Sequence, residues 1–385
     1  RVRRSLPRRV HFRSPKSTPR SAMAEEPQTA IAKAAAFVRR YVVPIVVTAI
    51  MYTIGLFWGL VVVFRLLSRY RSDLGKLFAV KKRPLPPKIL NDPEFGNHCY
   101  IQLPNIKLHY VESGDKTKPL LILIHGFPEF WYCWRHQIKE FSKDYWVVAV
   151  DLRGYGDSEK PPSIKYYTMK YLIEDVKNLI EGLGKEKAIL VAHDWGGMVA
   201  WGTILRYPEI VEKFVILNAP HPAAFGKHLT GSLKQFLQSW YMFFFQLPFL
   251  PEMFLRADDL ALFARFFKSK KHTSVLNEED LEAYKFTFGK PGATYGPLAY
   301  YRANILRRWR SWNESDKKRA PPSSDLPKGF LLFGEDDSAL DVKLVELSKA
   351  AFPNLSTEII PGACHFVQED EPAIVNAKIR EFLES

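Results

Sequence analysis

The sequence predicts an α/β protein: a mostly parallel sheet with helices on both faces, interrupted by a helical insertion and preceded by one transmembrane helix. Three observations predict it. Short apolar runs bounded by turn residues alternate with helical patterns along most of the chain, as parallel strands and their crossover helices do. Residues 221–325 break that alternation with a helix-like, aromatic-rich stretch. Tyr41 to Phe64 is a run of 24 residues without a charge, bounded by Arg39-Arg40 and by Arg65. A helix of that length covers roughly 36 Å, enough for a hydrocarbon core of about 30 Å.

In chain order, residues 1–40 form a basic N-terminal segment and 41–64 the membrane helix, in which Pro44, Gly55 and Gly59 are tolerable. A secretory signal peptide fits poorly, because its apolar region spans about 7 to 15 residues and ends at a small-residue cleavage site. Residues 65–91 are a basic linker stiffened by Pro84, Pro86 and Pro87. The core takes residues 92–220 and 326–385. It opens with a hairpin from Tyr100 to Val111 that turns at Pro104-Asn105. Continuously apolar runs follow at Leu120–Ile124, Trp146–Val150, Ala188–Ala192, Phe214–Leu217, Gly329–Phe333 and Ser356–Ile360, the pattern of strands buried on both faces. The insertion, 221–325, reads as a lid over the carboxyl ends of these strands, where a sheet of this kind binds its ligand.

The formal charge of +14 resembles a nucleic-acid signal until it is divided along the chain. Residues 1–90 hold 19 Lys and Arg against 3 Asp and Glu, and residues 91–385 hold 36 against 38. The basic excess belongs to the membrane-proximal part, and no nucleic-acid partner is expected. Met23 is a plausible start, which would leave a net +1 before the membrane helix, against eight basic residues and only Asp73 between Arg65 and Lys88. The positive-inside rule then places the core in the cytosol, with the endoplasmic reticulum as the expected membrane. Asn313-Glu314-Ser315 and Asn354-Leu355-Ser356 fit the glycosylation pattern and matter only in a lumen. Cys99, Cys133 and Cys364 make no disulfide framework. No spacing resembles a zinc, haem or phosphate-loop site, and no cofactor or metal is expected.

The chemistry centres on Val191-Ala192-His193-Asp194-Trp195-Gly196-Gly197. An apolar strand ends in one reactive residue flanked by small residues two before (Ala192) and two after (Gly196), and a helical pattern follows. That is the spacing of a nucleophile elbow, a strained strand-to-helix turn. The residue is Asp194 rather than serine. A carboxylate is ionised at neutral pH, is steadied by the positive end of the following helix, and is suited to displacing a leaving group from saturated carbon. The resulting ester requires a histidine to activate water. In the chain order nucleophile, acid, histidine, Asp337 after the strand ending at Gly334 is the orienting acid, with Glu335 or Asp336 as the alternative, and His365 is the base. His125-Gly126-Phe127-Pro128 ends an earlier strand, and its Phe127 amide pairs with that of Trp195 as an oxyanion hole. His193 is expected to be structural and to point away from the cleft. Cys364, beside His365, is not expected to act as a second nucleophile, since the elbow already supplies one.

His125-Gly126-Phe127-Pro128, Asp151-Leu152-Arg153-Gly154-Tyr155-Gly156-Asp157-Ser158 and His193-Asp194-Trp195-Gly196-Gly197 resemble the α/β-hydrolase-fold epoxide hydrolases over residues 91–385. The resemblance implies a pair of lid tyrosines that protonate the departing alkoxide. Ser239-Trp240-Tyr241-Met242 supplies Tyr241, and Leu298-Ala299-Tyr300-Tyr301-Arg302 supplies Tyr301, with Tyr300 at a position where the family often has another aromatic residue. A phenol, with a pKa of about 10, stays protonated at neutral pH yet can donate to a developing alkoxide. Phe243, Phe244 and Phe245 are expected to serve as pocket wall and lid core, and Asp151 to Ser158 as a structural turn tied down by Arg153. The implied reaction takes an apolar, lipid-type epoxide and water to a vicinal diol beside a lipid bilayer. Two other readings share parts of this pattern. A haloalkane dehalogenase uses the same aspartate but commonly an Asn where Phe127 stands, and a non-catalytic, membrane-tethered binding protein would not need the whole set.

Overall fold

The computed structural model describes residues 30–272, 275–311 and 326–385, so residues 1–22, Met23 and Asn313 lie outside the described residues. The chain divides into two compact units, residues 1–45 and 46–385. In the first, α1 (Ala30–Phe37) passes through a short π-helical turn, Val38–Val42, into the start of α2 (Val43–Arg69). Helix from Arg40 to Arg69 is long and apolar enough to cross a membrane. It continues past the uncharged run because Arg65, Leu66 and Leu67 are good helix formers. The carboxyl side is more structured than a free linker. The Arg83 guanidinium pairs with Asp259 at 2.7 Å and Glu282 at 2.8 Å, and the Tyr70 hydroxyl donates to Asp258 at 2.6 Å.

The core is an eight-stranded sheet in the order β1-β2-β4-β3-β5-β6-β7-β8. Its strands are β1 (Asn97–Leu103), β2 (Ile106–Ser113), β3 (Leu120–Ile124), β4 (Trp146–Val150), β5 (Ala188–His193), β6 (Val211–Leu217), β7 (Lys328–Gly334) and β8 (Leu355–Ile360). The β1–β2 hairpin turns at Pro104-Asn105, β2 runs antiparallel to β4, and the remaining pairs are parallel. Every residue of β3, β4 and β5 is buried, which is why these segments read as unbroken apolar runs. Helices α3 (Arg135–Phe141), α4 (Met169–Gly182) and α5 (Asp194–Arg206) cover the sheet with α13 (Leu344–Ala351), α14 (Val367–Asp370) and α15 (Pro372–Glu384).

Between β6 and β7 lie α6 (Pro222–Gly231), α7 (Leu233–Gln238), α8 (Trp240–Phe244), α9 (Leu250–Leu260), α10 (Phe263–Phe266), α11 (Glu278–Gly289) and α12 (Tyr295–Ser311). Helix α6 packs against α13, and the amide of His221 donates to Ser348 on α13 at 2.9 Å, which holds this first helix to the layer that covers the sheet.

The loop after β4 is fixed by buried charges. Asp151 accepts from the Trp131 amide at 2.8 Å, the Asp157 amide at 3.0 Å and His109 Nδ1 at 2.7 Å. Arg153, 1% exposed, donates twice to Asp175 at 2.6 Å and once to the Tyr166 carbonyl at 2.8 Å. Removing one partner strands a buried charge. Asp175→Ala should therefore cost about 3–5 kcal/mol, read as a lowered urea midpoint of the full chain in detergent. A midpoint equal to that of the parent would mean that Arg153 does not brace the loop.

Candidate active site

At the end of β5 the backbone changes hand within one residue. His193 is extended, with φ −123° and ψ 143°, and Asp194, the first residue of α5, has a φ of 48°. A non-glycine residue in the left-handed region is held there only by its surroundings. Two glycines make room for it. A Cβ on Gly196 would lie 2.2 Å from the Ile124 carbonyl oxygen, and one on Gly126 would lie 2.5 Å from the Cβ of Asp194. The small flanking residues in the sequence thus let the elbow press against the end of β3.

Three strand ends converge on the Asp194 carboxylate. Oδ1 accepts from the Phe127 amide, after β3, at 2.8 Å. Oδ2 lies 3.6 Å from His365 Nε2, after β8. On the far side of that ring Nδ1 is 2.7 Å from Asp337 Oδ2, after β7. Asp337 is itself pinned: Oδ1 accepts from the Ala339 and Leu340 amides at 2.7 and 2.9 Å, and Oδ2 from Asn218 Nδ2 at 2.8 Å. The alternatives to it turn elsewhere. Glu335 accepts from the Gly362 amide, and Asp336 pairs with Lys270.

Above the carboxylate, Tyr241 on α8 and Tyr301 on α12 meet edge to face with centroids 5.9 Å apart. The Tyr301 ring also packs on Trp195 at 5.0 Å, Phe127 at 5.3 Å and Phe245 at 5.0 Å. Tyr300 is not the equivalent of either, because its hydroxyl donates to the Arg153 carbonyl at 3.0 Å. The three phenylalanines separate in the same way. Phe245 faces Phe127 and the tyrosines, whereas Phe243 packs on Phe236, and Phe244 on Trp240 and Phe254.

Comparison with known proteins places the chain in a family. Residues 119–372 match the alpha/beta hydrolase fold family. Human epoxide hydrolase 4 is 38% identical over 354 residues, which cover 85% of this chain and 93% of that protein. Epoxide hydrolase 1 of Caenorhabditis elegans is 41% identical over 314 residues, covering 80% and 75%. The Bacillus megaterium epoxide hydrolase in complex with an inhibitor superposes with a TM-score of 0.65 at 31% identity, over 74% of this chain and all of that one. The chain belongs to the epoxide hydrolases of the α/β-hydrolase fold.

In this hydrolase the charges of the site are mutually dependent. Burial pushes the Asp194 carboxyl up, but His365, the charge of His193 and the Phe127 amide outweigh it and hold the group below the ordinary carboxylate value. Burial likewise disfavours a charged His365, yet Asp337 and Asp194, one on each ring nitrogen, hold its proton well above the ordinary range. Burial, with the Asp194 charge added, pushes the phenols of Tyr241 and Tyr301 upward, so both remain proton donors. Burial also raises the Cys364 thiol far from a reactive thiolate.

Two residues beneath the site are not evident from the motifs. Glu129 accepts from the Gly126 amide at 2.9 Å and from Gln368 at 2.7 Å, and lies 2.7 Å from His193 Nδ1. His193 Nε2 reaches the His365 carbonyl at 2.9 Å. A carbonyl only accepts, so His193 donates through Nε2 and a further proton lies between Nδ1 and Glu129. The histidine next to the elbow thereby holds the backbone of His365 from behind. An acid immediately before the aromatic run Phe130-Trp131-Tyr132 was the signal for Glu129, and Asn218, closing the apolar run of β6, was the signal for the Asp337 clamp.

Asp337→Asn keeps the outline of the acid and removes its charge. The His365 titration, followed by NMR of histidine-labelled protein, should move down from that of the parent, and an unshifted titration would disconnect the pair. The sign for stability follows. A raised folded-state value stabilises fully below the ordinary 6.5 and loses that contribution as pH rises through the raised value. The melting-temperature gap between parent and variant should thus be widest below pH 6.5 and narrow in alkali.

Proposed function

We propose that this epoxide hydrolase converts apolar, lipid-type epoxides to vicinal diols through an ester on Asp194. The observation that supports this most strongly is the placement of one ionised carboxylate between an amide donor, an acid-backed imidazole and two phenols. With Oδ1 held by Phe127, Oδ2 is the attacking oxygen. It forms a bond to an epoxide carbon as that carbon's ring C–O bond breaks, and Tyr241 or Tyr301 passes a proton to the departing alkoxide. A halide leaving group would need no such proton, so the two phenols favour an epoxide over a halide.

Ester formation neutralises Asp194 and so removes one of the two charges that hold the proton on His365. The imidazolium then gives its Nε2 proton, through solvent, to the tyrosinate that the first step leaves, while Asp337 continues to orient the ring, and the neutral imidazole becomes a base at its Nε2 face. There it takes a proton from water, the hydroxide adds to the ester carbon, and the charge gathers on Oδ1. The Phe127 amide already sits at that oxygen, and the Trp195 amide lies in the first turn of α5, where N–H groups lack intrahelical partners. Collapse of the adduct releases the diol and restores the carboxylate.

Helix α2 serves as a single-pass anchor in this reading. The eight basic residues between Arg65 and Lys88, against Asp73 alone, put the catalytic domain on the cytosolic side, with the endoplasmic reticulum as the membrane. Lipid epoxides that partition into the bilayer are then concentrated where the enzyme is tethered.

Asp194→Ala should abolish diol formation from lipophilic epoxides while the protein keeps its circular dichroism spectrum; turnover near the parental rate would remove Asp194 as nucleophile. His365→Ala should behave differently, because alkylation does not need the base. After exposure to substrate it should carry a mass increase equal to the epoxide on the Asp194 peptide, and an unmodified peptide would sink the two-step route.

Tyr241→Phe and Tyr301→Phe each keep the ring and remove one donor. Each should slow alkylation, and the double variant should lose far more than either, on the order of 10²- to 10⁴-fold. Hydrolysis of a preformed ester should change less, since its oxyanion faces the Phe127 and Trp195 amides. A double variant with parental epoxide turnover would undo the choice of epoxide over halide.

A further inference from the structure

The face that α2 buries is narrow and glycine-marked. Met51, Gly55, Gly59 and Val62 are buried, whereas Leu56, Phe57, Leu60 and Phe64 are exposed. The buried stripe lies against the lid. A Cβ on Gly55 would stand 2.6 Å from the Phe243 carbonyl oxygen, and one on Gly59 would stand 2.8 Å from a Leu247 methyl. Beside them Trp58 packs on Trp240 at 5.4 Å, one residue before Tyr241. The far end of the helix is fastened to the same lid by the Tyr70–Asp258 hydrogen bond and, beyond it, by Arg83 on Asp259 and Glu282.

This packing has a consequence for depth. Gly59 and Gly55 lie five and nine residues inside the Phe64 end of the uncharged run, which is roughly 8 and 14 Å along a helix axis. Half of a bilayer's hydrocarbon is about 15 Å. If α2 crosses the membrane, whatever touches these glycines from the lid cannot stay in the headgroups or in water. It must sit within the leaflet.

The outer surface of the lid beside that contact fits such a position. Leu233 and Leu237, one turn apart on α7, are 74% and 51% exposed, and Phe249 and Met253, at the start of α9, are 79% and 47% exposed. Phe249 takes a φ of 61°, a conformation that side-chain-bearing residues adopt at a cost, with its ring projecting outward. It lies between Leu247 and Leu250, the two lid residues that approach Gly59. Phe236, on the same helix as Leu233 and Leu237, packs on Phe243, whose carbonyl faces Gly55, so both exposed pairs adjoin lid residues that touch α2, and exposed apolar surface so placed fits a membrane contact rather than a water-facing one.

We propose that the lid surface carrying Leu233, Leu237, Phe249 and Met253 is immersed in the hydrocarbon of the leaflet next to α2, so that the catalytic domain is a partly embedded body and not a globule on a tether. The partner is the phospholipid bilayer itself, and the proposal rests on α2 being a membrane span.

The test uses the full chain in phosphatidylcholine vesicles, with Cys99→Ser to remove the partly exposed thiol, and a polarity-sensitive probe on Leu237→Cys, on Phe249→Cys or, as a water-facing control, on the exposed Lys143→Cys. At 237 and 249 the probe should be quenched by acyl-brominated phosphatidylcholine and shielded from aqueous iodide, and at 143 the reverse. If the chain resists alkaline carbonate extraction while both lid probes are quenched by iodide alone, the span stands and lid immersion is overturned. Release of the chain by carbonate overturns the span and the immersion together.

Discussion

A carboxylate kept ionised beneath a lid of aromatic rings is the constraint on which the remainder of the site depends. Burying a charge is costly unless it is paired and hydrogen-bonded, and Asp194 meets that cost with the Phe127 amide on one oxygen and His365 near the other. His365 in turn requires Asp337, and Asp337 requires two backbone amides and Asn218. Phe127, Asn218, Asp337 and His365 follow the carboxyl ends of four different parallel strands. The sheet is therefore the device that sets the geometry, and the backbone strain at Asp194 is the local cost of presenting one side chain above it.

The same dependence gives the proposed reaction its direction. While Asp194 is charged, its field helps keep the imidazole protonated; once esterified, it no longer does. A single histidine can thus stand idle in the first step and act as base in the second, without moving. The buried Glu129–His193 pair behind it holds the loop from the other side of the elbow, which leaves the ring fixed while its proton affinity changes.

Much of this was legible in residue order. The run from Ala188 into Asp194, the strand-end position of Asp337 and the turn before His365 depend on local patterns: an apolar run, small neighbours, a change of period. Arg153 was legible as a tie for the same reason, as a charge inside a short glycine-containing turn between Asp151 and Asp157. The linker was less so. Arg83 reads as one more basic residue near a membrane, yet its guanidinium is 8% exposed between Asp259 and Glu282, partners almost two hundred residues away. The division among Phe243, Phe244 and Phe245 was likewise hidden, because three adjacent identical side chains on a short helix carry no mark of the face each will take.

By itself the sequence determined the class of fold, the chain order of the acidic and basic groups, the aspartate at the elbow and the long uncharged helix, since all of these are set by periodicity and by residues next to one another. Tertiary structure alone decided which of Glu335, Asp336 and Asp337 meets His365, that Tyr300 turns to the Arg153 carbonyl while Tyr301 stays beside Trp195, that α6 packs against α13, and that α2 lies along the lid through Gly55 and Gly59. Those outcomes turn on side-chain direction and on contacts between distant segments. A hydrogen bond is made or missed within a few tenths of an ångström, and no pattern of residue types along a chain specifies distance at that scale.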